Sequence, residues 1–137
     1  MIGIVVVTHS GLGEALIEAA ESIMEGQLGA ALAISVDLKQ SAEEMRKKIS
    51  KGIKEVDNGG GVLILTDMFG GTPSNLSLSF LEEGRIEVLT GVNLPLVIRA
   101  AKLRKDTDLD ELAEDLQSYG RRSISLASGV LKGNKRS

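Results

Sequence analysis

Two periodicities alternate along this chain. Ile2 to Val7 is an unbroken apolar, β-branched run, and Ala31 to Val36, Val62 to Thr66 and Ile86 to Thr90 are further short runs of the same kind. Runs of that length predict strands buried on both faces, as in a parallel sheet. Between them apolar residues recur at helical spacing. Leu12, Leu16, Ala19, Ala20 and Ile23 predict a helix to about Met24, with Gly26 near its end. Ser41-Ala42-Glu43-Glu44 reads as a capping box ahead of the stripe Met45, Ile49, Ile53 and Val56. Thr72-Pro73 reads as N-cap and first helical residue of a helix continuing toward Gly84. A fourth helix is predicted over Leu96 to Leu103, and a fifth from a cap at Thr107 to Asp110 as far as Gly120. Ser123 to Leu126 alternates in the manner of a strand, and Gly129 to Ser137 reads as a frayed tail.

Alternating strands and helices predict an α/β fold: a three-layer α/β/α sandwich on a mostly parallel four-stranded sheet. The flavodoxin-like order 2-1-3-4 is the expected one at this size, with residues 1–128 as a single domain and 129–137 as a flexible tail. In that order the carboxyl ends of the first and third strands flank the switch point where ligands bind. His9 follows the first strand and Asp67 follows the third.

Composition narrows the chemistry. The chain has 137 residues, one His, no Cys and a formal net charge of −3. Without Cys there is no disulfide, thiolate metal site or cysteine nucleophile. One His excludes a multi-histidine metal site within the chain. The acidic balance, with no Trp, one Tyr and two Phe, argues against nucleic-acid binding. No apolar run approaches the roughly 18–20 residues of a membrane span. The N-terminus lacks the basic region and cleavage site of a signal peptide, so a cytoplasmic location is expected.

His9 is the first candidate. As a lone histidine it suits a structural loop position. It also precedes a helix N-terminus that favours an anion, and a carboxylate on one ring nitrogen would leave the other as a nucleophile in a fixed tautomer. Asp67 suits an Asx-turn equally well, or a receiver-type phospho-acceptor, although the first strand ends in Thr8-His9-Ser10 with no acid to hold Mg²⁺. Gly70-Gly71-Thr72-Pro73-Ser74-Asn75 reads as a capped turn or as an anion cradle of backbone N–H groups, with the Thr72 and Ser74 hydroxyls beside it. It lacks a Walker lysine, and Gly11-Leu12-Gly13 lacks the third glycine of a dinucleotide fingerprint. Ser-His-Asp hydrolysis through Ser10 or Ser74 is conceivable, but no Gly-x-Ser-x-Gly elbow is present.

Three segments carry a family resemblance. They are Val5-Val6-Val7-Thr8-His9-Ser10, Leu63 through Asn75, and Thr90-Gly91-Val92-Asn93-Leu94-Pro95. In order and spacing they resemble the signature segments of the mannose-type enzyme IIA domain of the bacterial sugar phosphotransferase system, over roughly residues 1–125. The resemblance implies a phosphoryl carrier. His9 would accept phosphate from the phosphohistidine of HPr and pass it to a IIB protein, separate here because the sequence ends at Ser137. Asp67 would hold the imidazole, and Gly70, Gly71, Thr72 and Ser74 would bind the phosphate. The resemblance further implies no metal, nucleotide or other cofactor, at most a peripheral link to a membrane transporter, and a homodimer whose C-terminal strand, Ser123 to Leu126, pairs with the partner's sheet. Two alternatives use the same fold. One is a non-catalytic anion-binding or regulatory module, and the other is the phosphotransfer subunit of a dihydroxyacetone kinase.

Overall fold

The computed structural model describes residues 1–133. Four strands, β1 (Gly3–His9), β2 (Ala31–Val36), β3 (Val62–Thr66) and β4 (Ile86–Thr90), form one all-parallel sheet in the order β2-β1-β3-β4. Among the described residues six helices accompany them: α1 (Leu12–Met24), α2 (Ala42–Val56), α3 (Thr72–Leu78), α4 (Leu94–Leu103), α5 (Leu109–Arg122) and α6 (Ala127–Leu131). The architecture and strand order are those predicted.

The period of two along β1 divides the core. Ile4 and Val6 pack with Leu63, Leu65 and the inner faces of α1, α4 and α5. Val5 and Val7 pack with Val62, Ile64 and the stripe Met45, Ile49, Ile53 and Val56 of α2, joined by Leu76 of α3. Every residue from Gly3 to Thr8 is buried because helices cover both faces. Gly3 is where α2 crosses β1 closely: a Cβ there would collide with the Val56 carbonyl. Caps fix the helix starts. Ser41 Oγ accepts from the Glu44 N–H at 3.1 Å while Glu44 Oε1 accepts from the Ser41 N–H at 3.2 Å, completing the capping box. Asn93 and Asp108 cap α4 and α5.

Several boundaries differ from expectation for identifiable reasons. β1 runs on to His9 because its ladder with β2 continues through Thr8↔Ser35 and His9↔Val36, polar positions that an apolar run does not reveal. Gly71, not Thr72, is the N-cap of α3, with Thr72 and Pro73 in its first turn. α3 ends at Leu78 rather than near Gly84. There the Ser77 and Ser79 hydroxyls donate back to the Pro73 and Leu76 carbonyls at 2.7 Å each, and tight turns bring Glu82 into a bridge with Ile86. α4 begins two residues early, since Pro95 fits a first turn. Gly120 does not stop α5. It lies inside the helix where α4 approaches, and a Cβ would sit 3.2 Å from Leu96 Cδ2.

At the C-terminus the described residues end in a short helix. Among the described residues Ser123–Leu126 pairs with no strand and links α5 to α6. That helix spans the expected boundary at residue 128 and continues to Leu131. Residues 134–137 of the expected tail lie outside the described residues.

Candidate active site at the ends of β1 and β3

His9 is the last residue of β1, and Asp67 is the first residue after β3. Because β1 and β3 are direct neighbours, the topology sets these two residues side by side at the carboxyl edge of the sheet. Asp67 Oδ2 accepts two hydrogen bonds from His9, one from its backbone N–H at 2.9 Å and one at its ring Nδ1 at 2.8 Å. Asp67 Oδ1 accepts the Met68 N–H at 3.0 Å. The carboxylate is sheltered and the imidazole is open, with side-chain exposures of 12% and 42%.

Burial alone would push the Asp67 carboxyl up. The backbone and ring hydrogen bonds from His9, the attraction of its ring and the Met68 N–H together outweigh that and hold it below the usual carboxylate value. An ionised carboxylate only accepts hydrogen bonds, so Nδ1 must carry the proton. In the neutral ring Nε2 then holds a free lone pair.

The glycine turn closes on that ring. A Cβ built on Gly71 would lie 3.0 Å from His9 Cε1 and 3.6 Å from Nε2, so any larger residue would have to shift the ring by a few tenths of an ångström. Gly70 adopts φ +90°, a left-handed conformation natural to glycine. Thr72 follows in the first turn of α3 and is exposed. Ser74 is fully buried, and its hydroxyl has no hydrogen-bond partner. Neither Ser10 nor Ser74 bonds the His9 ring among the described residues.

On the other side of His9 lies an open cleft of about 530 Å³, lined by His9, Ser10, Gly11 and residues Ser35 to Lys39 of the β2 end. Sequence reasoning assigned no role to that wall. Its signal, if any, was the strand order itself, which makes the end of β2 a neighbour of His9. Thr8 was also missed. Its buried Oγ1 accepts the Gly13 N–H at 2.9 Å, bracing the first turn of α1 from the strand behind it. Exposed apolar residues rim the site: Leu38 in the cleft, Met68 beside Gly71, then Phe69 and Leu12. Among the described residues no group of three or more His, Asp or Glu could hold a metal ion, and no helix is long and apolar enough to cross a membrane.

Comparison with known proteins agrees with this geometry. A family model described as "PTS system fructose IIA component" matches residues 3–117. The chain is 29% identical to the fructose-specific EIIA component of Bacillus subtilis, over 96% of this chain and 90% of that protein. It is 30% identical to the mannose-specific EIIAB component of Escherichia coli K12 over 90% of this chain, which spans only 38% of that longer protein. The mannose/sorbose-specific IIA subunit from Enterococcus faecalis superposes with a TM-score of 0.80 at 25% identity, covering 91% of this chain and 93% of that one. A phosphotransferase system EIIA from Streptococcus agalactiae has the same fold, with a TM-score of 0.83 at 24% identity and coverage of 93% and 98%. A model match over most of the chain, and relatives aligned nearly end to end, place this chain in the fructose/mannose IIA family of the sugar phosphotransferase system.

Proposed function

We propose that this chain is a cytoplasmic phosphoryl carrier in which His9 Nε2 becomes transiently phosphorylated. The observation that carries the reading is the ionised Asp67 carboxylate on Nδ1, which leaves Nε2 as the nucleophile at an open face of the ring. In the accepting step the Nε2 lone pair attacks the phosphorus of phospho-HPr. The donor N–P bond breaks, and its electron pair returns to the donor imidazole. Asp67 stabilises the positive charge that the His9 ring acquires. In the donating step a histidine of a IIB protein attacks the same phosphorus, and the His9 N–P bond breaks.

The turn at Gly70, Gly71 and Thr72 supplies backbone N–H groups and a hydroxyl to the phosphoryl oxygens, while Ser74, expected beside them, has its hydroxyl fully buried and out of reach of a solvent-side phosphate. The exposed apolar rim suits transfer between proteins, since Leu38, Met68 and Phe69 offer surface that a small-molecule donor would not need to bury. Metal and nucleotide have no part in this scheme, because a phosphohistidine donor already carries the driving force.

The chain acts as a homodimer in this reading. Ile124 and Leu126 are 84% and 77% exposed, and Val130 and Leu131 extend the apolar surface. Ile124 also borders a hollow of about 350 Å³ against Leu89 and Thr90 of β4, an edge strand of the sheet. A second copy's segment would cover both.

The test is label transfer from ³²P-phosphoenolpyruvate through enzyme I and HPr. Acid-labile, base-stable label on the wild type and none on His9→Ala supports the carrier. Label retained by His9→Ala would sink it. Tight phosphate binding without covalent label would favour an anion-binding module.

A further inference from the structure

The turn after His9 is held in an unfavourable backbone conformation. Ser10 has φ +47°, in the left-handed region that a residue with a side chain rarely adopts. Two neighbouring strand residues, Thr8 and its register partner Ser35 on β2, hold it from either side. Thr8 Oγ1 accepts from the Gly13 N–H at 2.9 Å, and the Ser35 hydroxyl donates to the Ser10 carbonyl at 2.5 Å. Ser10 and Ser35 both line the open cleft beside His9.

We infer that Ser35 is a positioning residue for phosphoryl transfer: by fixing the Ser10 carbonyl it keeps the β1–α1 turn in the shape that presents His9 to its donor. The inference rests on the carrier reading above. Asp67 fixes the ring from the β3 side through the His9 backbone and Nδ1. Ser35 fixes the Ser10–Gly11 peptide, one residue further on, from the β2 side. His9 is thus gripped through both of its backbone neighbourhoods, and the direction of the first N–H groups of α1, which favour an anion, follows from the same turn. Loss of the Ser35 hydroxyl leaves the Ser10 carbonyl free to rotate toward an ordinary conformation, carrying the cleft wall with it. Ser35 lies on an edge strand and is half-exposed, so its removal leaves the core intact.

The test measures single-turnover phosphorylation by phospho-HPr in wild type, Ser35→Ala, Ser35→Thr, Ser10→Gly and the Ser10→Gly/Ser35→Ala double variant. Circular dichroism melts confirm that each is folded. Ser35→Ala is expected to slow the saturated rate about 5- to 10-fold while leaving the half-saturating HPr concentration unchanged. Ser35→Thr, which keeps the hydroxyl, is expected to transfer at the wild-type rate. Glycine adopts the left-handed conformation without help, so Ser35→Ala should cost much less in the Ser10→Gly background. A wild-type rate in Ser35→Ala overturns the inference. So does an equal loss in both backgrounds, because the hydroxyl would then act elsewhere than on Ser10. Failure of the wild type itself to be phosphorylated would instead refute the carrier reading.

Discussion

The Asp67 carboxylate receives both the backbone N–H and the ring Nδ1 of His9 on one oxygen, at 2.9 and 2.8 Å. One acid therefore sets the position of the β1 end and the tautomer of the ring it carries. Replacing it with an amide separates these roles, because the Asn side chain keeps the shape but has no charge to stabilise the imidazolium. Asp67→Asn is expected to slow phosphoryl acceptance about 10- to 100-fold while the fold persists. Stopped transfer assays with circular dichroism check both halves.

The same pair makes stability depend on pH. The folded Asp67 carboxyl sits below its ordinary value of 3.8, so in the acid range the unfolded chain binds the proton more readily. The stabilisation is complete above the unfolded value and is lost as pH falls through the folded one. Urea unfolding of wild type and Asp67→Asn should show a constant difference near neutrality that shrinks below about pH 4. A difference that grows toward acid would reverse the sign of the interaction.

Gly71 is required for the close approach of its turn to the ring, not for an unusual backbone, since its φ of −83° suits any residue. Gly71→Ala is therefore expected to fold normally. Its Cβ would meet Cε1 at 3.0 Å and displace the ring from Asp67. Transfer should slow by about tenfold or more, with an altered imidazole nitrogen signal.

Arg104 allows stability to be separated from chemistry. It is buried at the opposite edge of the sheet and donates to the Gly29 and Ala30 carbonyls at 2.5 and 3.1 Å. Arg104→Met removes the guanidinium from the Gly29 carbonyl and leaves the Ala30 carbonyl with the Ile4 N–H as its partner, and should cost about 1–3 kcal/mol in chemical denaturation. The transfer rate of the folded fraction should stay at the wild-type level.

The dimer is tested on its exposed apolar segment. An Ile124→Asp/Leu126→Asp variant should sediment at the 14.5 kDa of one chain, while the wild type sediments at twice that mass. A monomeric wild type would remove the association from the account.

Much of this was legible in the sequence because burial on both faces leaves unbroken apolar runs. β2, β3 and β4 and the helices α1 and α2 follow that signal to within a residue at their ends. The juxtaposition of His9 and Asp67 followed from strand order, which makes their strands neighbours. What escaped was polar and tertiary. Thr8 and His9 extend β1 by pairing with β2, and Gly120 marks the close approach of Leu96 inside α5, not the end of the helix. The serine alternation at Ser123 to Leu126 suggested a strand paired with a second copy; among the described residues of one chain it lies beside no strand. The Ser10–Ser35 contact joins residues 25 apart through a single hydroxyl, and no local pattern encodes it.

The central claim is that the phosphoryl group resides on Nε2 of His9 while Asp67 retains the Nδ1 proton. The chain has a single histidine, so ¹⁵N-histidine labelling reports on that ring alone. Nitrogen–phosphorus coupling recorded after phosphorylation by phospho-HPr should appear at Nε2, with Nδ1 still protonated. Coupling at Nδ1, or an imidazole left unchanged while phosphate is incorporated elsewhere, would contradict the account.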